Sequence, residues 1–248
     1  MNRILFEPGE IADGIATFGG ARAEHVVGVL HGEVGQVLKT GEIGGMNGSS
    51  EILEIARDAA GGPLVRVRVS HEEAPLPSWI DLVLAPPRPR AMKRLLPQLA
   101  TLGVGRIVLV GAQKVEKDFW GATLLKEENY RPLLVDGLMQ AGTGVLPTLE
   151  TRRSFRRFLR DELDSLFPTA NRIVAHPSSA ATVASASAVE GRPLLAVGPE
   201  GGWTDAEVEL LESRGFRRLS LGPRVLRTDT AVVALLSRLA VQEREQAR

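Results

Sequence analysis

Between Leu194 and Ala231 two short apolar runs each lead into a glycine-bearing turn and then into a helix, reading LLAVGPEGGW and, further on, LSLGPRVLRTDTA. In an open parallel α/β sheet, ligands sit outside the carboxyl ends of the strands. Two such turns close in sequence are therefore candidates to share one pocket. Leu194 to Val197 has strand length, and Gly198, Pro199, Gly201 and Gly202 then make a turn in which few side chains obstruct a ligand. Thr204 with Glu207 three residues on forms a capping box, so a helix begins there and carries Val208, Leu210 and Leu211 inward. Gly215 suits the left-handed position that ends it. The plan then repeats, with Leu219 to Leu221 as a strand, Gly222 and Pro223 as its turn, and a long helix from Thr228 to about Arg244.

Upstream the texture changes near residues 74 to 78. Before that point come short strand-like pieces broken by glycine: Val26 to Leu30, Gln36 to Lys39, Glu51 to Ile55 and Leu64 to Val69. The last alternates Leu64, Arg66 and Arg68 with Val65, Val67 and Val69, the period of a half-buried strand. A small barrel or compact β domain over residues 1–74 is the expectation. Ala74 to Ser78, with two prolines, reads as a stiff linker. After it the pattern is strand, helix, strand: Ile80 to Ala85, Arg90 to Leu102, Ile107 to Val110. Helices around Tyr130 to Met139 and Phe155 to Leu166 and a strand at Arg172 to Ala175 follow, so residues 79–248 read as an α/β domain with a parallel sheet.

Composition narrows the function classes. With 248 residues, 44% of them apolar, the chain can bury a substantial core. It has no cysteine, which excludes disulfides, cysteine nucleophiles and thiolate metal sites, and no metal is expected. No signal-peptide pattern and no membrane-length apolar run is present, so a cytoplasmic protein without membrane attachment is the expectation. Thirty basic residues balance thirty acidic ones, so a nucleic-acid partner would have to be met by a local basic patch. Three clusters offer one: Arg88, Arg90, Lys93 and Arg94; Arg152, Arg153, Arg156, Arg157 and Arg160; and Arg214, Arg217, Arg218 and Arg224. The middle set would ordinarily be a solvated face paired with Asp161 and Glu162. No GxxxxGK[ST] occurs and no GxGxxG follows a strand, which disfavours nucleotide-hydrolysing and dinucleotide enzymes.

The GPEGG turn, the LGPRVLRTDTA segment and the closing apolar helix resemble the carboxyl-terminal signature of RsmE-type 16S ribosomal RNA uridine methyltransferases of the SPOUT superfamily. The resemblance implies a trefoil-knotted α/β domain whose knot loops hold S-adenosylmethionine, a small amino-terminal PUA-like β domain that grips RNA, and a homodimer. It also implies methylation at N3 of a uridine in the small-subunit RNA. The alternatives are a SPOUT methylase of another ribosomal or transfer RNA site, and a catalytically silent RNA-binding relative. Three stretches depart from the family pattern. His25 to His31 reads HVVGVLH, ending in histidine where relatives have arginine. Gln98 and Thr101-Leu102-Gly103 stand where relatives carry lysine and Glu-Leu-Gly, and Gln140 is followed by Ala141-Gly142-Thr143-Gly144 without the usual arginine.

The resemblance assigns the cofactor to Leu195, Gly198, Pro199, Glu200, Gly201, Leu221, Gly222, Val225, Leu226 and Thr230, with His176 on the first knot loop. Glu200 either accepts from a ribose hydroxyl or ties its own loop through backbone amides. Arg227, just before the last helix, is the candidate to stabilise negative charge on a uracil imide as its proton leaves. Asp229 is a candidate base, or else an aspartate that simply suits the dipole of the helix it opens. Thr228 and Thr230 either cap that helix or touch the substrate. Contacts to RNA fall to His25, Arg88, Arg90 and Arg224. Two of them have a plainer reading, His25 as a structural histidine at a strand start and Arg224 as solvated charge. Ala231, Val232, Leu235 and Leu239 make an apolar face that suits either the dimer or the core.

Overall fold

The computed structural model describes residues 3–177 and 191–246. The chain divides into two compact units, Met1–Pro77 with Val135–Leu146, and Ser78–Leu134 with Pro147–Arg248. Two contiguous stretches, 1–74 and 79–248, were expected from sequence; residues 135–146 instead join the first unit. There Arg3 N–H donates to the Met139 carbonyl at 3.1 Å and Gly44 N–H to that of Gly144 at 2.9 Å.

In the first unit six strands form one sheet: β1 (Ile4–Phe6), β2 (Ile11–Ala12), β3 (Ile15–Phe18), β4 (Val37–Glu42), β5 (Asn47–Arg57) and β6 (Pro63–Glu73). Their order is β1-β4-β5-β6-β3-β2, parallel between β1 and β4 and antiparallel elsewhere. Alternation along β6 works as the sequence implies, with Val65 and Val67 buried and Arg66 and Arg68 exposed. The stretch expected as a strand from Val26 to Leu30 is different. It is the end of a helix, α1 (Gly20–Gly28), and the loop after it. Ala23 and Val26, three apart on one helical face, enter the same core as Phe6, Phe18 and Ile52, while Val27 and Val29 stay exposed. Packing of one face outweighs the β-branched composition of HVVGVL.

The second unit holds six strands, all parallel: β7 (Ile80–Leu84), β8 (Val104–Val110), β9 (Thr148–Arg152), β10 (Asn171–Ala175), β11 (Pro193–Val197) and β12 (Arg217–Leu219). The order is β12-β10-β11-β7-β8-β9. Helices α2 (Pro89–Thr101), α3 (Glu127–Ala141), α4 (Phe155–Asp161), α5 (Leu163–Leu166), α6 (Asp205–Ser213) and α7 (Thr228–Gln246) make the connections, the last turns of α3 lying in the first unit. Parallel central strands covered on both faces read as unbroken apolar runs, and Leu194 to Val197 are indeed all buried. Val232, Leu235 and Leu239 of α7 are buried within the single chain, so that apolar face belongs to the core. Among the described residues no helix is long and apolar enough to cross a membrane, and no group of three or more histidine or acidic side chains is placed to hold a metal.

Arg192 locks the start of β11 to β7. Its guanidinium grips the Asp81 carboxylate at 2.7 and 2.9 Å and also donates to the Ser78 carbonyl at 2.7 Å. Asp81 in turn accepts from the Arg106 amide at 2.8 Å on the β8 side. Arg192→Ala leaves a largely buried carboxylate without its charge partner and is expected to lower stability by about 1–3 kcal/mol. The urea unfolding midpoint checks it: an unchanged midpoint would remove this clamp from the account.

Candidate active site

Three neighbouring strands, β12, β10 and β11, point their carboxyl ends to the same sheet edge. The loops leaving them, with the first turns of α7, enclose a cavity of about 300 Å³. β10 lies between the strands that carry the two glycine turns, which is why a pair separated in sequence meets in space, with the His176 loop between them. That loop continues into residues 178–190, so most of the expected first knot loop lies outside the described residues.

Side chains hold the loops to one another. The Thr228 hydroxyl, buried at the start of α7, donates to the Gly198 carbonyl at 3.3 Å and joins the two motifs directly. Ser220 accepts from the Gly222 amide at 3.1 Å, and its hydroxyl lies 3.2 Å from the Pro177 carbonyl, spanning the loops after β12 and β10. The GPEGG turn is closed by Gly202 N–H donating to the Pro199 carbonyl at 2.8 Å, with Gly202 at φ 69°. That left-handed conformation is one glycine adopts without a steric penalty. Thr204 and Glu207 then form the capping box of α6. Trp203 stacks on Phe155 with ring centroids 5.1 Å apart, which fixes the indole behind the turn.

Of the residues expected at the cofactor, His176, Gly198, Pro199, Glu200, Gly201, Leu221, Gly222, Val225 and Leu226 line this cavity, as does Arg224. Two do not. Leu195 is fully buried within β11, paired in register with Leu82 and Ile173, because it lies two residues before the strand end where the site opens. Thr230 is exposed; Thr228, Ala231 and Leu235 of α7 face the cavity, and the 3.6-residue period turns Thr230 away from them. Asp229 is also off that face, and its carboxylate meets the Arg94 guanidinium of α2 at 3.1 Å. Arg227 is exposed outside the cavity lining, with no side-chain partner among the described residues.

Glu200 does not tie its loop through backbone amides. Its carboxylate lies 3.5 Å from Arg88 Nε, and Arg88 also donates to Glu116 at 2.9 Å. Arg90 is exposed and lines neither this cavity nor a second, smaller one beside Arg88. His25 sits in the last turn of α1 rather than at a strand start, with Nε2 buried and without a hydrogen-bond partner. Three arginines of the five-arginine cluster are ion-paired: Arg152 binds Glu150 and Glu162, and Arg157 and Arg160 meet Asp161. Among residues that sequence reasoning passed over, Ser220 and Trp203 line the cavity and Lys114 donates to the Gly201 carbonyl at 2.9 Å. The one signal for Trp203 was an aromatic directly after GPEGG; Lys114 sits in a loop with no motif.

A family model described as an RNA methyltransferase domain matches residues 74–240. The chain is 33% identical over 240 residues to the ribosomal RNA small subunit methyltransferase E of Treponema pallidum, covering 94% of this chain and 88% of that protein. It is 25% identical to a ribosomal RNA small subunit methyltransferase E 1 of Borreliella burgdorferi, covering 94% and 95%. The fold matches the corresponding enzyme of Neisseria gonorrhoeae, solved bound to S-adenosyl methionine, with a TM-score of 0.74 at 19% identity over 98% of both chains. A Legionella pneumophila structure solved with bound SAM matches with a TM-score of 0.74 at 26% identity over 97% of both chains. With the family model and full-length relatives converging on the segment that builds the cavity, the chain belongs to the ribosomal RNA small subunit methyltransferase E family.

Proposed function

We propose that this protein is an S-adenosylmethionine-dependent methyltransferase that modifies N3 of a uridine in the 16S ribosomal RNA of the small subunit, acting in the cytoplasm as a homodimer. The observation that carries the reading is the cavity where the GPEGG and LGPRVLR loops are bonded together through Thr228 and Gly198. Its residues fit the cofactor. Gly198 offers bare backbone where even a Cβ would lie 3.0 Å from the Trp203 nitrogen, and Leu221, Val225 and Leu226 supply an apolar slot for a ring. Bound there, the cofactor supplies an electrophilic methyl group on a sulfonium.

The chain's own residues have a different task. The neutral imide nitrogen of uracil is a poor nucleophile, so its proton must pass to water, or to the Asp229 carboxylate once that leaves Arg94, as the methyl arrives. Arg227, exposed beside the cavity and unpaired among the described residues, is the guanidinium available to stabilise the negative charge that develops. Arg224, also exposed and unpaired among the described residues, is placed for a phosphate, a contact that positions RNA without reading sequence. Leu221, Val225 and Leu226 leave apolar surface exposed around the site, Val225 at 82%, and this supports a second copy covering it. Calorimetric titration with S-adenosylmethionine tests the reading: saturable binding is expected, and no measurable binding would sink the methylase and favour a silent RNA-binding relative. Sedimentation should give a dimer at micromolar concentration.

A further inference from the structure

Helix α2 carries Arg90, Lys93 and Arg94 on one face, at the i, i+3 and i+4 positions that stand side by side, while Met92, Leu95, Leu96 and Leu99 bury the other. All three cations are exposed, and none of the 13 residues of the helix is acidic. In a chain whose charges balance overall, this is a local excess of positive charge. Helix stability does not account for it. The dipole disfavours a cation such as Arg90 in the first turn, and no acid stands three or four positions away to pair with any of the three. Helix α4 shows the ordinary arrangement, with Arg157 and Arg160 both on Asp161. Among the described residues Arg90 and Lys93 have no ion-pair partner. Nearby acids are already engaged: Glu116 and Glu200 by Arg88, which precedes the helix, and Asp229 by one of the five N–H donors of Arg94.

The place of this face in the fold points to its partner. The Arg94–Asp229 pair fastens α2 to the first turn of α7, where Arg227 lies just before the helix and Thr228 lines the cofactor cavity. The cationic face therefore reaches the side of the cavity where Arg227 lies. We propose that the exposed face of α2 binds the phosphate backbone of the RNA flanking the target nucleotide, with Arg90 and Lys93 as the main contacts and Arg94 at the end nearest the active site; the inference rests on the RNA methyltransferase reading above. A strand whose target base is held at the cavity must lay its neighbouring phosphates over the adjoining surface. Cations without protein partners there neutralise those phosphates and release their counterions. Such contacts fix the register of the strand without reading its bases.

Filter binding of small-subunit ribosomal RNA, transcribed in vitro, to the full chain over a range of salt tests this. The double variant Arg90→Ala/Lys93→Ala should bind about tenfold more weakly at about 100 mM salt, and its plot of log affinity against log salt should be flatter by about 0.7 for each cation removed. Arg157→Ala/Arg160→Ala removes the same charge from α4 and should bind RNA as the wild type does. S-adenosylmethionine should bind the α2 variant normally, because neither residue lines the cavity, and this also shows that the variant folds. Polyuridylate should compete with the RNA for the wild type, and polyglutamate should not. Equal loss in the two double variants, or no loss in the α2 variant, overturns the inference. So does equal competition by polyglutamate, which would point to an acidic protein partner instead. Failure of S-adenosylmethionine to bind the wild type counts against the methyltransferase reading, while the RNA comparison still decides the role of α2.

Discussion

Gly198→Val is expected to weaken S-adenosylmethionine binding by about ten- to a hundredfold, the range that overpacking a close-fitting site costs. A Cβ at this position would sit 3.0 Å from the Trp203 backbone nitrogen and 3.2 Å from its indole. The indole cannot retreat because Phe155 stacks behind it. The branched methyls would then have to occupy the cavity itself. Gly201→Ala is the informative control. Its Cβ would meet Lys114 Cδ at 3.0 Å, the far part of a flexible side chain that can swing aside. Calorimetric titration should therefore show near-normal affinity in Gly201→Ala and a large loss in Gly198→Val, with thermal unfolding as the check that both fold. Equal affinities in the two variants would mean that the turn does not carry the cofactor.

Arg227→Ala should lower turnover about a hundred- to a thousandfold, the usual effect of removing one preorganised charge-stabilising donor. Affinity for S-adenosylmethionine should change little, because Arg227 does not line the cavity. Arg227→Lys should recover only part of the rate, since an ammonium keeps the charge without the planar fork that can hold two acceptors at once. Single-turnover kinetics separate this from weakened RNA binding. Wild-type turnover in Arg227→Ala would remove the residue from the chemistry. Asp229 stands in a different position, because its carboxylate is engaged by Arg94 and would have to leave that partner to take a proton.

The sequence was most legible where one local rule decided the outcome. The Thr204 and Glu207 capping box and the left-handed Gly215, at φ 81°, are set by a few neighbouring residues, and the structure has both. Legibility fell where packing or edge pairing decides. Residues Val26 to Leu30 have strand composition, yet the burial of Ala23 and Val26 makes the segment helical up to Gly28. β9 was missed because Thr148 to Arg152 has no apolar run; it pairs along β8 with its side chains half in water. The last strand was expected at Leu219 to Leu221 and runs from Arg217 to Leu219 instead. Its two arginines are tolerated on an edge strand because Asn171 and Glu212 pair with them, while Ser220 is committed to the loop. In the site, contiguous motif residues could be read directly. Lys114 and the Arg88–Glu200 pair could not, because they meet across strand ends distant in sequence.

The central claim, that the cavity at the carboxyl edge of the sheet serves N3 methylation of a uridine in small-subunit RNA, is tested most directly by mapping methylated nucleotides. Small-subunit RNA from cells lacking this protein should miss the N3 methyl on one uridine. The wild-type chain with S-adenosylmethionine should restore it in vitro and Gly198→Val should not. An unchanged uridine methylation pattern in those cells, or transfer to another atom or another RNA, would contradict the account.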